Sequence, residues 1–249
     1  DVENLNRQFT SEQPTFNRST QGTYPLGSVF KIVTMAAALE SGMFAADTTY
    51  ECGYSFTDIP GHTLYDWTWD RCQTEKLNSG KETCTTRPSG LLTLEQGLMR
   101  SCDPWFYHIG FDLWNAGKGN LVSDMARAFG LGNATGIEQV AESNGNIPNP
   151  ADGLQATSIA IGQSDVQVTP LQVATYIAAV ANGGTLYRPQ LVEKIQPVTG
   201  EAISVFRPQA NGTLPLTTAN LKSIQDSMRS VVEDPRGTGY FRLSSFPFP

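Results

Sequence analysis

The sequence predicts an α+β domain: one helix-rich body that carries a β-ribbon and has little other sheet of its own. Three observations predict it. Six segments space their apolar residues at the helical period, several of them bracketed by capping residues. One segment, "GTLYRPQLVEKIQPVTGEAISVFRP", alternates instead and holds a Val-Thr-Gly turn. The 249 residues contain no internal repeat and no low-complexity linker, so the segments belong to one body.

In chain order, "SVFKIVTMAAALESG" is apolar at positions 29, 32, 33, 36, 37 and 39, a helix that Gly42 is placed to stop. Residues 45–90 read as irregular, with weak strand signals around "TTYECGYSF". "TLEQGLM" opens a second helix, with Thr93 as N-cap and Gln96 completing a capping box. "SCDP" interrupts it, and "WFYHIGFDLWNAG" resumes as a very apolar helix for which Asp103 and Pro104 make a good N-cap and first residue. "LVSDMARAFGLG" is amphipathic. "TPLQVATYIAAVANGG" has Thr169 at the N-cap, Pro170 behind it and Asn182-Gly183 at its end. After the ribbon, "TTANLKSIQDSMRSVVED" is the last amphipathic helix.

Composition narrows the function classes. At 39% hydrophobic and 16% charged residues the chain can bury a substantial core. A net charge of −7 argues against a nucleic-acid or anionic-membrane surface. No apolar run is long enough to span a bilayer, and "DVENLNRQFT" is not a signal peptide. The four cysteines, Cys52, Cys72, Cys84 and Cys102, form no C-x-x-C pair, and His62 and His108 are the only histidines, a poor set for zinc. Cys72 with Cys84 is the first choice for a disulfide in an oxidising compartment. Free buried thiols stand beside it as an equal reading.

One placement asks for chemistry. Lys31 lies in the first turn of an otherwise apolar helix, where the macrodipole disfavours a cation by roughly 0.3–1 kcal/mol. The bland reading makes Ser28 a helix cap and Lys31 a surface charge. The neighbours Phe30, Ile32 and Val33 argue instead for a partly buried amine. Residues three apart share a helical face, so the amine is expected within hydrogen-bond reach of Ser28. Burial and the dipole both lower its pKa. A neutral amine beside a hydroxyl is a base beside a nucleophile, and the N–H groups of the same turn can hold an oxyanion.

Longer motifs carry a resemblance. "FNRSTQGTYPLGSVFKIVTMAAALESG", "LTLEQGLMRSCDPWFYHIG", "FGLGNATGIE" and "IAIGQSDVQVTPLQVATYIAAVANGGTLYRPQLV" resemble, in that order, the motif stretches of the penicillin-binding protein transpeptidases. The likeness covers about residues 15 to 240. It implies a β-lactamase/transpeptidase-like fold, here mainly the helical body plus the ribbon, with most of the central sheet missing. The expected domain is therefore 1–249 as a partial transpeptidase domain, truncated at both ends. By the resemblance, Ser28 is the acyl-accepting nucleophile toward the penultimate D-alanine of a peptidoglycan stem peptide. Lys31 takes its proton and Ser101 relays a proton to the leaving D-alanine. Asp103, Gly162 and Gln163 line the substrate site. The implied partners are stem peptides on lipid-linked precursor strands and β-lactams. No metal or cofactor is implied. The expected location is outside the cytoplasmic membrane, with an anchor in a preceding segment.

Two departures from the family pattern stand out. The second motif reads Ser101-Cys102-Asp103 where the family has Ser-x-Asn. An ionised aspartate only accepts hydrogen bonds, and beside Lys31 it would raise the amine's pKa. The third motif, Lys-Thr/Ser-Gly, is missing, and the family's first strands would precede "QPTFNRST". The expectation is that these 249 residues do not turn over while the parent does. Two alternatives remain: a non-catalytic β-lactam sensor or degenerate peptidoglycan-binding domain, favoured by Asp103, and a serine β-lactamase, for which no water-activating base is evident. No Gly-x-Ser-x-Gly elbow accompanies His108, which reads as a core or boundary histidine. "YDWTWD" is open between a sugar-stacking patch and an exposed loop.

Overall fold

A computed structural model of the chain describes residues 16–246. A 3-10 turn, Gly27–Phe30, leads into helix α1, Lys31–Glu40. Every residue of α1 from Lys31 to Leu39 is buried, the mark of a helix packed on all sides. The first turn is thus tighter than expected. Leu26 holds the N-cap position and Ser28 lies inside the turn, so Ser28 caps nothing. Gly42 ends the helix with a left-handed φ of 72°, as its place in the sequence predicts.

The stretch 45–90 is more ordered than expected. Strand β1, Thr49–Cys52, is followed by β2, Ser55–Phe56, and β3, Leu64–Tyr65. Helix α2 then runs Trp67–Ser79. Asp66 caps it by accepting from the Thr68 N–H, and Gly80 closes it in the left-handed region. Its poor amphipathic pattern hid the helix, although the Asp-x-Thr start and the Gly stop were legible. Strand β4, Gly90–Thr93, pairs antiparallel with β1, placing Cys52 opposite Gly90.

Helix α3, Leu94–Arg100, opens with the expected capping box of Thr93 and Gln96. Helix α4 spans Asp103–Asn115, with Cys102 and not Asp103 as its N-cap: the Cys102 sulfur accepts from the Trp105 N–H. Helix α5 is Leu121–Ala128. Helix α6, Gly153–Ala160, was not anticipated; Asp152 caps it through the Gln155 N–H. It lies directly against α4, where a Cβ on Gly110 would come within 2.6 Å of the Ala156 carbonyl oxygen. Helix α7, Pro170–Ala181, carries its capping box of Thr169 and Gln172.

The ribbon follows as predicted. Strand β5, Thr185–Tyr187, pairs with β8, Ala210–Thr213, and between them β6, Lys194–Ile195, pairs with β7, Ser204–Val205. Helix α8, Thr218–Glu233, is capped by Thr217, and a short α9 covers Tyr240–Leu243. Helices α3, α4, α5 and α8 pack around α1. Among the described residues each sheet has only two strands, which agrees with a helical body and ribbon of an α+β fold. The segment before Phe16, where the family's first strands were expected, lies outside the described residues. No helix among them is long and apolar enough to cross a membrane.

Both cysteine pairs are oxidised. Cys72 joins Cys84 as expected, and Cys52 joins Cys102, which the sequence had left unassigned. The free-thiol reading is corrected: among the described residues no cysteine is free.

Candidate active site

The turn that bears Ser28 is clamped from behind. The Gly27 N–H donates to the Gly162 carbonyl at 2.9 Å, and the buried Tyr176 hydroxyl donates to the Val29 carbonyl at 3.0 Å. Phe30 is fully buried below. Gly162 ends the turn after α6 with φ of 71°, and a Cβ there would lie 2.5 Å from the Gly27 oxygen and 2.6 Å from the Phe30 Cβ. The Gln163 side chain lies alongside Gly27. Both residues therefore reach the site by shaping the back of the Ser28 turn. Gly162→Ala is expected to lower stability by roughly 2 kcal/mol, through overpacking and a left-handed alanine. The urea midpoint measures this, and an unchanged midpoint would show that the turn has room to retreat.

Lys31 is fully buried, and its amine is committed. It donates to the Ser101 carbonyl at 2.7 Å, to Ser101 Oγ at 3.1 Å and to Asp103 Oδ1 at 2.6 Å. Among the described residues it makes no hydrogen bond to Ser28, so the contact expected from the i, i+3 spacing is not formed. The reason is local chemistry. Three N–H groups are taken by three acceptors, one of them a carboxylate, and a charge-assisted bond outcompetes a neutral hydroxyl. Burial holds the Lys31 pKa below the ordinary lysine value, while Asp103 and, more weakly, Asp66 push it back up.

The second motif is shaped to face that amine. Helix α3 ends at Ser101, a serine in the left-handed region at φ 54°. Holding a non-glycine residue there costs roughly 1–2 kcal/mol, and such strain gathers at functional sites. The turn aims both the carbonyl and the hydroxyl of Ser101 at Lys31. Cys102, between Ser101 and Asp103, is tied to β1 by its disulfide. Asp103 is then spent within the protein: beyond Lys31, its second oxygen accepts from the Trp67 N–H at 3.2 Å.

Sequence reasoning missed what stands behind Asp103. Asp66 is fully buried, and its Oδ1 accepts from the Asp103 N–H at 2.9 Å. Its Oδ2 accepts from the Thr68 N–H and hydroxyl. Burial raises the Asp66 pKa, against the lowering effect of the Thr68 and Asp103 donors. "YDWTWD" is thus neither reading in full, because its central Asp66 and Trp67 are second supports of the Lys31 site. Tyr65 and Trp69 stack on each other at 5.1 Å.

Ser28 and Ser101 open onto one cleft of about 520 Å³, with Trp67, Arg100 and Gly237 also on its walls. A larger hollow of 770 Å³ lies at the far end of α1, between Glu40 and Asp124, away from Ser28. His108 is remote in kind as well: it stacks on Tyr50 at 4.4 Å and sits 3.5 Å from Asp112, a packing histidine as expected. Cys52, Cys102 and Asp66 bring three potential metal ligands within 4.8 Å, but both sulfurs are consumed by their disulfide.

Comparison with known proteins agrees with this geometry. The family model for the penicillin binding protein transpeptidase domain matches residues 2–247. The peptidoglycan D,D-transpeptidase PbpA of Mycobacterium tuberculosis is 38% identical over 186 residues, covering 74% of this chain and 34% of the relative. A structure from work on a peptidoglycan synthase complex that coordinates polymerization and crosslinking superposes with a TM-score of 0.79 at 29% identity, over 99% of this chain and 39% of that one. Penicillin-binding protein A of M. tuberculosis, solved as a ceftriaxone acyl-enzyme complex, gives a TM-score of 0.70 at 27% identity, over 92% of this chain and 47% of the other. The chain spans about a third of the length of the curated relatives it matches.

Proposed function

This chain belongs to the penicillin-binding protein transpeptidase family, and on that premise we propose that it carries the acylation site of a peptidoglycan D,D-transpeptidase. Ser28 Oγ attacks the carbonyl of the penultimate D-alanine of a stem peptide. An ester forms, the bond to the terminal D-alanine breaks, and the proton from Ser28 ends on the leaving amine. An amine from a neighbouring stem peptide then attacks the ester, forms the cross-link and frees Ser28. A β-lactam enters as a mimic of the donor and stops at the ester.

Lys31 and Ser101 handle the proton. Because Lys31 is bonded to Ser101 Oγ and not to Ser28, the proton runs from Ser28 through the Ser101 hydroxyl to the lone pair of the deprotonated amine, the form that burial favours, and returns through Ser101 to the leaving group. The N–H of the Ser28 turn supplies part of the oxyanion hole. Asp103 supports the site by fixing the position of Lys31. Its oxygens are already engaged, which disfavours the substrate-binding role that the resemblance assigned it. Gly162 and Gln163 hold the nucleophile turn and border the substrate site. The two disulfides support action in an oxidising compartment outside the cytoplasmic membrane. We place the described residues in one such domain.

The observation that carries this reading is a fully buried amine bonded to Ser101 at the back of the cleft that Ser28 lines. The test uses the full-length polypeptide carrying this sequence and a fluorescent penicillin. Stable labelling that disappears in Ser28→Ala, together with cross-linking of stem peptides, is the expected result. Labelling without cross-linking would establish a sensor. Labelling that is quickly hydrolysed would establish a β-lactamase.

A further inference from the structure

The cleft beside Ser28 has an unusual charge for this protein. The chain carries −7 overall and only 17 basic residues, yet Arg71, Arg87, Arg100 and Arg236 all line this one cleft, and no acidic side chain does. We propose that these arginines form an anion subsite for a carboxylate on the acyl-donor peptide, separate from the bond being broken. The proposal rests on the transpeptidase reading and extends it to substrate choice.

The four side chains come from four places: α2, the loop after Cys84, the last turn of α3 and the turn after α8. Gathering like charges from separate elements costs energy unless something offsets it. Internal partners offset only part. Arg236 is forked by Asp234, with Nη2 at 2.9 Å from Oδ2. Arg71 sits 3.6 Å from Glu75, but both Glu75 oxygens already accept from the Thr85 and Thr86 N–H and hydroxyl groups. Arg87 and Arg100 have no ion-pair partner among the described residues. Glu75 and Asp234 thus leave two of the four positive charges without a direct ion pair among the described residues.

The two uncompensated arginines are held rather than loose. Arg87 donates to the Cys84 carbonyl at 2.7 Å, and Cys84 is fixed to α2 by its disulfide. Arg100 is half-buried, with Nε on Ser89 Oγ at 3.2 Å, a second donor on the Arg236 carbonyl and its guanidinium 5.6 Å from the centre of the Trp67 ring. Burial lowers the Arg100 pKa, with Arg236 adding to that effect, while Asp66 and Asp234 push it partly back up without forming an ion pair with it. Arginine's planar fork suits a carboxylate. The 520 Å³ cleft is in the range that takes a small peptide.

The test compares two penicillins that differ only in an added side-chain carboxylate, benzylpenicillin and its α-carboxy derivative, on the full-length polypeptide. The readout is the ratio of their second-order acylation rates. A ratio favouring the carboxylated compound, falling about tenfold in Arg87→Gln and shrinking with added salt, supports the subsite. The same fall is expected in Arg100→Lys, which keeps the charge but loses the fork. Equal ratios in wild type and Arg87→Gln overturn it. If neither penicillin acylates Ser28, the transpeptidase reading fails on its own. The subsite is then judged by calorimetric binding of an acetylated Glu-containing tripeptide against its Gln counterpart. Preference for the acid, lost in Arg87→Gln, sustains the subsite, and equal binding overturns it.

Discussion

Lys31→Met will cost the protein roughly 3–5 kcal/mol of stability and abolish acylation of Ser28. The stability term follows from what the substitution strands. Lys31 is fully buried and 2.6 Å from Asp103, with Asp66 one hydrogen bond further back. Removing that cation leaves the Asp103 carboxylate without its ion-pair partner and Asp66 buried close behind it, and breaking one half of a buried pair costs about this much. The Ser101 carbonyl and hydroxyl lose their donor as well. Urea unfolding gives the stability and fluorescent-penicillin labelling the activity. The double variant Lys31→Met with Asp103→Leu separates the two effects. It should regain part of the stability, because no unpaired charge remains at 103, and none of the acylation. A single variant that loses less than about 1 kcal/mol would mean that water reaches the pair.

Breaking the Cys52–Cys102 bridge will damage both stability and catalysis, whereas breaking Cys72–Cys84 will mainly affect stability. The longer bridge closes 50 residues and the shorter 12. On the chain-entropy account these stabilise by about 4 and about 3 kcal/mol. Position makes the larger difference. Cys102 lies between Ser101 and Asp103, and its sulfur caps α4 by accepting from the Trp105 N–H at 3.3 Å. Replacing Cys52 and Cys102 by alanine frees the turn that presents both residues to Lys31 and removes the weak sulfur cap of α4. The expected result is a drop of at least tenfold in penicillin acylation for that pair, measured where both variants remain folded, against a smaller change for Cys72→Ala with Cys84→Ala. Equal losses from the two pairs would show that the bridge at Cys102 is only a staple.

Much of the frame could be read from the residues because its signals are local. The capping box at Thr93, the Thr169 N-cap, the Gly42 and Asn182-Gly183 stops and the alternating ribbon each depend on neighbours within a few positions, where hydrogen-bond geometry and backbone preference act directly. Helix α2 escaped because its sequence, "WTWDRCQTEKLNS", lacks an apolar stripe: only Thr68 and Cys72 are buried, and its order comes from Asp66, Gly80 and the disulfide. Asp103 was misplaced as a cap for a related reason. Cap preference is a local statistic, and a buried ammonium at 2.6 Å is a stronger claim on a carboxylate.

The sequence by itself pointed to a partly buried amine at residue 31, because apolar neighbours crowd that turn of the helix, but it paired the amine with Ser28, a contact that is not formed. Only the tertiary structure decided which groups meet that cation. Ser101, Asp103 and Asp66 reach it across separations of tens of residues, through the sharp left-handed turn at Ser101 and the bridge from Cys52. The physical reason is that one amine has three donors, and the packing of α1 against α3 and α4 sets which acceptors lie close enough to take them.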